Sequence, residues 1–238
     1  MDSRLQALGR TARKLDRNDP LKQFRKRFRV SPGKIYLDGN SLGLLSRDGE
    51  ATLKQTLHSW RDLAIGGWLE ADRPWFTLAE WMGARCAGLV GARPDEVVMS
   101  GTTTVNIHAL VQTFYRPEDR RTRILAGGLD FPSDIYALKS ILRLRGFDPG
   151  EHLILAKSRN GHTFDEDDIV RLMDERTALV FLPSVLYRSG QLLNMELLTL
   201  RAREKGIPIG FDCAHSVGAV PHELSKWGVD FAVWCSYK

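Results

Sequence analysis

From about residue 75 onward, short apolar runs alternate with longer stretches in which apolar side chains recur every three or four positions. Runs at 96–100, 123–126, 152–156, 178–182, 207–212 and 230–235 have strand length, and most are continuous rather than alternating. Continuous runs are what strands buried on both faces require. The stretches 75–90, 105–114, 133–145, 165–175 and 195–205 carry the helical period. Asp165 stands where a side-chain oxygen caps a first turn, and Gly206 where a helix closes. Six strands alternating with helices predict an α/β fold, a doubly wound and mostly parallel sheet. Ligands of such sheets bind beyond the carboxyl ends of the strands. That rule brings 101–104, 131–134, Ser184 and 212–215 to one edge.

Charge changes this picture at one end only. Of the formal net charge of +5, residues 1–29 hold ten Lys or Arg and three Asp, a balance of +7 that leaves −2 for the rest. The basic residues therefore belong to an N-terminal arm, drawn at 1–45, ahead of a large domain at 46–238. A solvated amphipathic helix accounts for the arm, so neither nucleic acid nor a membrane is expected as a partner. No apolar run approaches the roughly 20 residues of a membrane span. The arm lacks the apolar core of a secretory signal, and Asp2, Asp16 and Asp19 weigh against a transit peptide. Cys86, Cys213 and Cys235 have no CxxC spacing and cannot all pair. Buried thiols in a reducing cytoplasm are expected, with neither a disulfide frame nor a metal site.

Three motifs carry candidate chemistry. In Ser100-Gly101-Thr102-Thr103-Thr104-Val105-Asn106 a strand gives way to a helix through a Gly and three hydroxyls. Free N–H groups and Thr hydroxyls there can hold a phosphate, or the threonines can simply cap the helix. The GxxxxGK pattern of a P-loop is absent. In Phe131-Pro132-Ser133-Asp134 the ring can stack on a planar cofactor and Asp134 can accept its hydroxyl proton; the same residues also make an ordinary helix start. Asp212 ends an apolar run, where a carboxylate is costly unless paired. It is either a cap or the partner of a buried cation. His215 follows three residues later, and Ser236-Tyr237-Lys238 follows the next apolar run. Together they form the kit that holds pyridoxal phosphate: an acid for the pyridinium nitrogen and a lysine amine for a Schiff base.

On these residues the chain resembles the kynureninase family. The strings are Tyr36-Leu37-Asp38-Gly39-Asn40-Ser41-Leu42-Gly43, Arg73-Pro74-Trp75, Thr104-Val105-Asn106, Phe131-Pro132-Ser133-Asp134 and Tyr187-Arg188-Ser189-Gly190-Gln191, then 210–218 and 227–238. The Asp-x-x-His and Ser-x-Lys pair alone indicates only the pyridoxal phosphate aspartate-aminotransferase superfamily; the longer strings are more specific. The resemblance implies a PLP-dependent transferase-like large domain and hydrolysis of L-kynurenine, or 3-hydroxykynurenine, to an anthranilate and L-alanine in tryptophan catabolism and NAD biosynthesis. It assigns Thr103, Thr104 and Tyr237 to the cofactor phosphate, Phe131 to the ring face and Asp134 to the ring hydroxyl. It places Ser184 and His215 in the cofactor site, Asp212 on the ring nitrogen, and Lys238 at the Schiff base with Tyr237 as proton donor. Trp68 falls at a substrate-contacting position. A cytoplasmic homodimer is implied. Family members carry a further small domain with the arginine for the substrate carboxylate, so the chain is expected to be the N-terminal portion, truncated after Lys238. The alternatives are another class-V enzyme, a cysteine desulfurase or aminotransferase, and a non-catalytic fragment.

Overall fold

The computed structural model describes residues 3–238, and these fall into two compact units that divide between Trp75 and Phe76. The boundary drawn at 45/46 from sequence lies inside the first. That unit contains α1 (Ser3–Asn18) and α2 (Arg47–Leu63). No described residue of α1 is buried. The Ser46 hydroxyl caps α2 by accepting from the Gly49 amide at 2.9 Å. Arg27 and Arg29 reach Asp48 and Glu50 in its first turn, each at 2.6 Å. The loop at 36–43 closes on itself: the Ser41 and Leu42 amides donate to the Asp38 carbonyl, and the Tyr36 hydroxyl donates to the Leu42 carbonyl.

The second unit is the α/β fold expected. It runs through α3 (Leu78–Ala87), α4 (Thr103–Phe114), β1 (Arg123–Gly127), α5 (Pro132–Leu144), β2 (Leu153–Ala156) and α6 (Glu166–Leu172). It continues with β3 (Thr177–Pro183), α7 (Met195–Glu204), β4 (Ile209–Asp212) and β5 (Phe231–Val233). The sheet order is β2-β1-β3-β4-β5 and every pairing is parallel. All seven residues of β3, the central strand, are buried, which is why its sequence reads as one apolar run.

Period-two alternation divides the strand side chains between two cores. Leu125, Val180, Leu182 and Phe211 pack on one face with Ile169, Met173, Leu198 and Ala202 of the α6 and α7 region. Ile124, Ala126, Leu179 and Phe181 pack on the other with Ile107, Val111, Leu138 and Ile141 of α4 and α5. Each Val, Leu, Ile, Phe or Met among them, fully buried, contributes about 1.5–3 kcal/mol. Asp165 caps α6 as expected, accepting from the Asp167 amide, and Gly206 follows α7 with φ of +63°.

The sequence called for six strands and the described residues form five. The run at 96–100 is not a strand. Pro94–Glu96 is a 3-10 turn, and the residues after it are extended without a ladder partner. They lie instead against α3: the Met99 amide donates to the Ala79 carbonyl, and a Cβ on Gly83 would come within 2.0 Å of the Val97 carbonyl oxygen. Extended backbone alone does not make a strand; pairing does. The runs at 207–212 and 230–235 are also trimmed. β4 begins at Ile209, after Pro208, which has no N–H for the ladder.

Candidate active site

The loops before α4, after β1, after β4 and after β5 open onto one groove of about 1470 Å³ in the second unit. Before α4, the Thr102 hydroxyl accepts from the Val105 amide at 3.4 Å. Thr103 and Thr104 occupy the first turn, half-buried and on the groove wall. Phosphate-type donors thus concentrate there, free N–H groups beside hydroxyls.

After β1 the chain turns through 128–131 into α5, which begins at Pro132, where a missing N–H costs nothing. Phe131 is 44% exposed, lines the groove, and meets Tyr187 edge-to-face at 5.1 Å. The Arg188 guanidinium lies over the other aromatic ring, 5.3 Å from the Tyr187 centroid. The motif at 187–191 therefore buttresses Phe131. Its Gln191 is fixed by two hydrogen bonds with the Phe164 backbone.

Three buried carboxyls follow one another across the junctions. Asp130 accepts from the Gly127 amide at 2.7 Å through one oxygen, and its other oxygen has no partner among the described residues. Asp134 is 2% exposed and accepts from the Ser133 hydroxyl; its Oδ2 likewise lacks a partner. Asp212, 7% exposed at the end of β4, accepts from the Ala214 amide at 2.8 Å. Burial, then the charge of Asp212 beside it, pushes the Asp134 carboxyl up to about 8. Burial raises Asp212 and Asp130 as well. Asp134 and Asp212 thus form a buried acid pair in which burial and mutual repulsion disfavour the second negative charge. Asp130 was not singled out from sequence; a lone Asp ahead of Phe131 carries no signal that it will be buried.

The acids are answered from the turn after β4 and the segment after β5. His215 is half-buried, and burial and the Lys238 charge keep its imidazole below the ordinary range. The Lys238 amine lies 3.4 Å from His215 Nε2 and 5.6 Å from the Tyr237 ring centroid. Tyr237 is exposed, and the neighbouring Cys235 raises its hydroxyl. Burial pushes the Cys213 thiol up to about 12, which makes it inert as a nucleophile.

Of the residues expected from sequence, Thr103, Thr104, Phe131, Asp134, Asp212, His215, Tyr237 and Lys238 all line this groove. Ser184 does not. It is fully buried, and its hydroxyl faces the Asp212 carbonyl and the Ser216 hydroxyl. Trp68 belongs to the first unit, where it meets Trp75 edge-on at 6.5 Å.

The comparisons agree with this chemistry. The family described as Aminotransferase class-V matches residues 76–238. The chain is 58% identical over 95% of its length to a kynureninase of Geobacillus thermodenitrificans, covering 53% of that protein. It is 56% identical to a kynureninase of Shouchella clausii and 54% identical to one of Bacillus anthracis, with similar coverage. The chain spans about half the length of the curated relatives it matches. Among solved structures, a cysteine desulfurase from Thermococcus onnurineus superposes with a TM-score of 0.70 at 17% identity, over 91% of this chain and 53% of that one. A cysteine desulfurase from Escherichia coli gives 0.71 at 19% identity, over 92% and 55%. At such identities the likeness speaks for the fold alone. The chain belongs to the class-V aminotransferase family, whose enzymes work with pyridoxal phosphate.

Proposed function

We propose that this chain supplies the cofactor-binding half of a kynureninase, which hydrolyses L-kynurenine or 3-hydroxykynurenine to the anthranilate and L-alanine. The observation that carries the reading is one groove lined by phosphate-type donors, a buried acid pair and a lysine amine. It occurs in a chain 58% identical to a protein named kynureninase. The groove fits the cofactor on its own chemistry. A buried carboxyl oxygen without a donor, such as Asp134 Oδ2, calls for one from a ligand, and Asp212 is a buried acid suited to a cationic ring nitrogen.

When bound, pyridoxal phosphate supplies the electron sink for breaking bonds at the substrate's amino acid carbons. Everything else falls to the chain. Thr103, Thr104 and the N–H groups opening α4 hold the phosphate, with Tyr237 beside them. Phe131, braced by Tyr187, covers the ring face. Asp134 meets the ring hydroxyl, and Asp212 keeps a proton on the ring nitrogen. Lys238 would hold the cofactor through its amine and, when that amine is free, would serve as the base for the substrate Cα proton. The His215 ring, 3.4 Å from the Lys238 amine, helps to hold that amine. Tyr237 donates or relays a proton after water adds to the γ-carbonyl. The substrate carboxylate is taken by residues that the longer relatives carry, and the homodimer, the cytoplasmic setting and the contact from Trp68 are parts of the same proposal.

The test is direct. Residues 1–238 are mixed with pyridoxal phosphate, kynurenine and a fragment equivalent to the second half of the Geobacillus relative, and anthranilate fluorescence is followed. Anthranilate with the complement supports the proposal. Cofactor binding with transamination and no anthranilate would replace it with the aminotransferase reading.

A further inference from the structure

Ser184 is fully buried away from the groove, and its side chain heads a line of polar groups. Its Oγ lies 2.6 Å from Ser216 Oγ. Ser216 Oγ in turn lies 2.9 Å from His222 Nε2, and His222 Nδ1 lies 2.8 Å from the Val220 carbonyl oxygen. Ser184 and Ser216 are fully buried and His222 is 5% exposed, so water does not compete.

These contacts fix the direction of the protons. A carbonyl can only accept, so Nδ1 carries the hydrogen and Nε2 is the acceptor in the neutral ring. Burial holds His222 below the ordinary histidine range, in keeping with that neutral form. Ser216 therefore donates to His222, and the Ser184 proton faces Ser216 Oγ and the Asp212 carbonyl oxygen 3.0 Å away. The Ser184 amide donates to that same carbonyl at 2.8 Å. The line runs from Val220 through His222, Ser216 and Ser184 to the backbone of Asp212.

The turn that this line spans is the one that carries the chemistry. Asp212 and His215 both sit on it, and Ser216, next to His215, is tied within it by its amide, which donates to the Cys213 carbonyl. We propose that Ser184, Ser216 and His222 are positioning residues. They brace the 212–220 turn so that the Asp212 carboxyl and the His215 ring face the groove, and Ser184 serves the cofactor site through this brace and not by contact. The proposal rests on the pyridoxal phosphate reading of the groove. No step of the proposed reaction uses Ser216 or His222, and neither lines the groove.

The experiment uses the full 238-residue chain and three variants: His222→Leu, Ser216→Ala and His222→Gln, whose amide oxygen can accept from Ser216. Two quantities are read: amide hydrogen exchange at Ala214, whose N–H is held by Asp212 Oδ1, and the pyridoxal phosphate Kd by fluorescence titration. In variants whose far-UV spectra match the parent, His222→Leu and Ser216→Ala are expected to speed Ala214 exchange and weaken cofactor binding by roughly 5- to 10-fold each, the scale of one buried hydrogen bond. His222→Gln restores both. A general loss of packing would speed exchange across β3 and β4 alike and would not be rescued by glutamine. Unchanged Ala214 exchange in folded Ser216→Ala, or no rescue by folded His222→Gln, overturns the brace. If His222→Leu does not fold, Ser216→Ala decides. If the parent chain binds no cofactor, the functional reading fails, and Ala214 exchange still judges the brace.

Discussion

Charge is handled in opposite ways in the two units. In the first, Glu50 meets Lys54 and Arg29, whose hydrogen bonds hold its carboxyl down at about 2. In the second, Asp134 is buried beside Asp212 with no cation hydrogen-bonded to its orphan oxygen, and its carboxyl is pushed up to about 8. The same functional group is moved in opposite directions by its setting. The surface acid is satisfied by its own chain and screened by water. The buried acids are left wanting, which costs stability unless something else supplies donors and positive charge. Unmet demand of this kind marks a place for a ligand.

The largest expected effects follow from removing what the groove has assembled. In the complemented enzyme, Asp212→Ala should lower kcat by about 10²-fold or more, since a single charge-stabilising partner commonly contributes that much. A variant that turns over at the parental rate would dissociate Asp212 from the chemistry. Lys238→Ala should abolish the visible absorption band of the lysine-bound cofactor while non-covalent binding persists. An unchanged band would mean that a different lysine holds the cofactor and that the meeting of Lys238 with His215 has no role in anchoring.

The two regions also differed in how far they could be read from sequence. The second unit was legible because its strands are continuously apolar and its loops fall where parallel sheets place them. Asp212, His215 and Lys238 were singled out by type and spacing, and the structure sets them on one groove. The 96–100 run misled because apolar pattern reports burial, whereas a strand also needs a neighbour. The 212–220 brace was invisible because Ser216 and His222 gain meaning only when the fold sets Ser184, just past β3, against Ser216. No spacing rule links residues 184, 216 and 222. In the first unit, charge balance announced a basic arm, but the boundary with the next unit falls at Trp75–Phe76, inside an aromatic stretch with no linker composition.

A smaller effect probes the buried acids by pH. An acid held at about 8 in the folded protein and near 3.8 unfolded binds its proton more tightly when folded. Such a group favours the fold at low pH, and that contribution fades as pH rises through the window between those two values. The cofactor-free protein should therefore unfold at lower urea at pH 8.5 than at pH 6. Asp134→Asn removes the ionising group and keeps its shape. It should flatten this dependence and stabilise the cofactor-free protein at pH 8.5 by on the order of 2 kcal/mol, after allowing for the coupling with Asp212. The same change should weaken cofactor binding. A pH profile identical to the parent's would show that Asp134 is not the group that titrates.

The smallest expected effect lies on the other side of the comparison. Glu50 has the larger number of charged partners, Arg29 and Lys54, and its carboxyl is displaced to about 2. Read as a stability statement, that displacement would favour the fold above the unfolded pKa, with the contribution lost as pH falls toward 2. Solvent screening cancels most of it, because both cations remain hydrated when the acid is removed and long side chains give up rotamer freedom to pair. Glu50→Gln should accordingly leave the urea midpoint at pH 7 within error of the parent and leave cofactor affinity unchanged. The comparison turns on this null result beside the gain expected from Asp134→Asn. A loss for Glu50→Gln that persists in high salt would mean that the Arg29–Glu50–Lys54 cluster is desolvated in the working protein, and that this face of the first unit is covered.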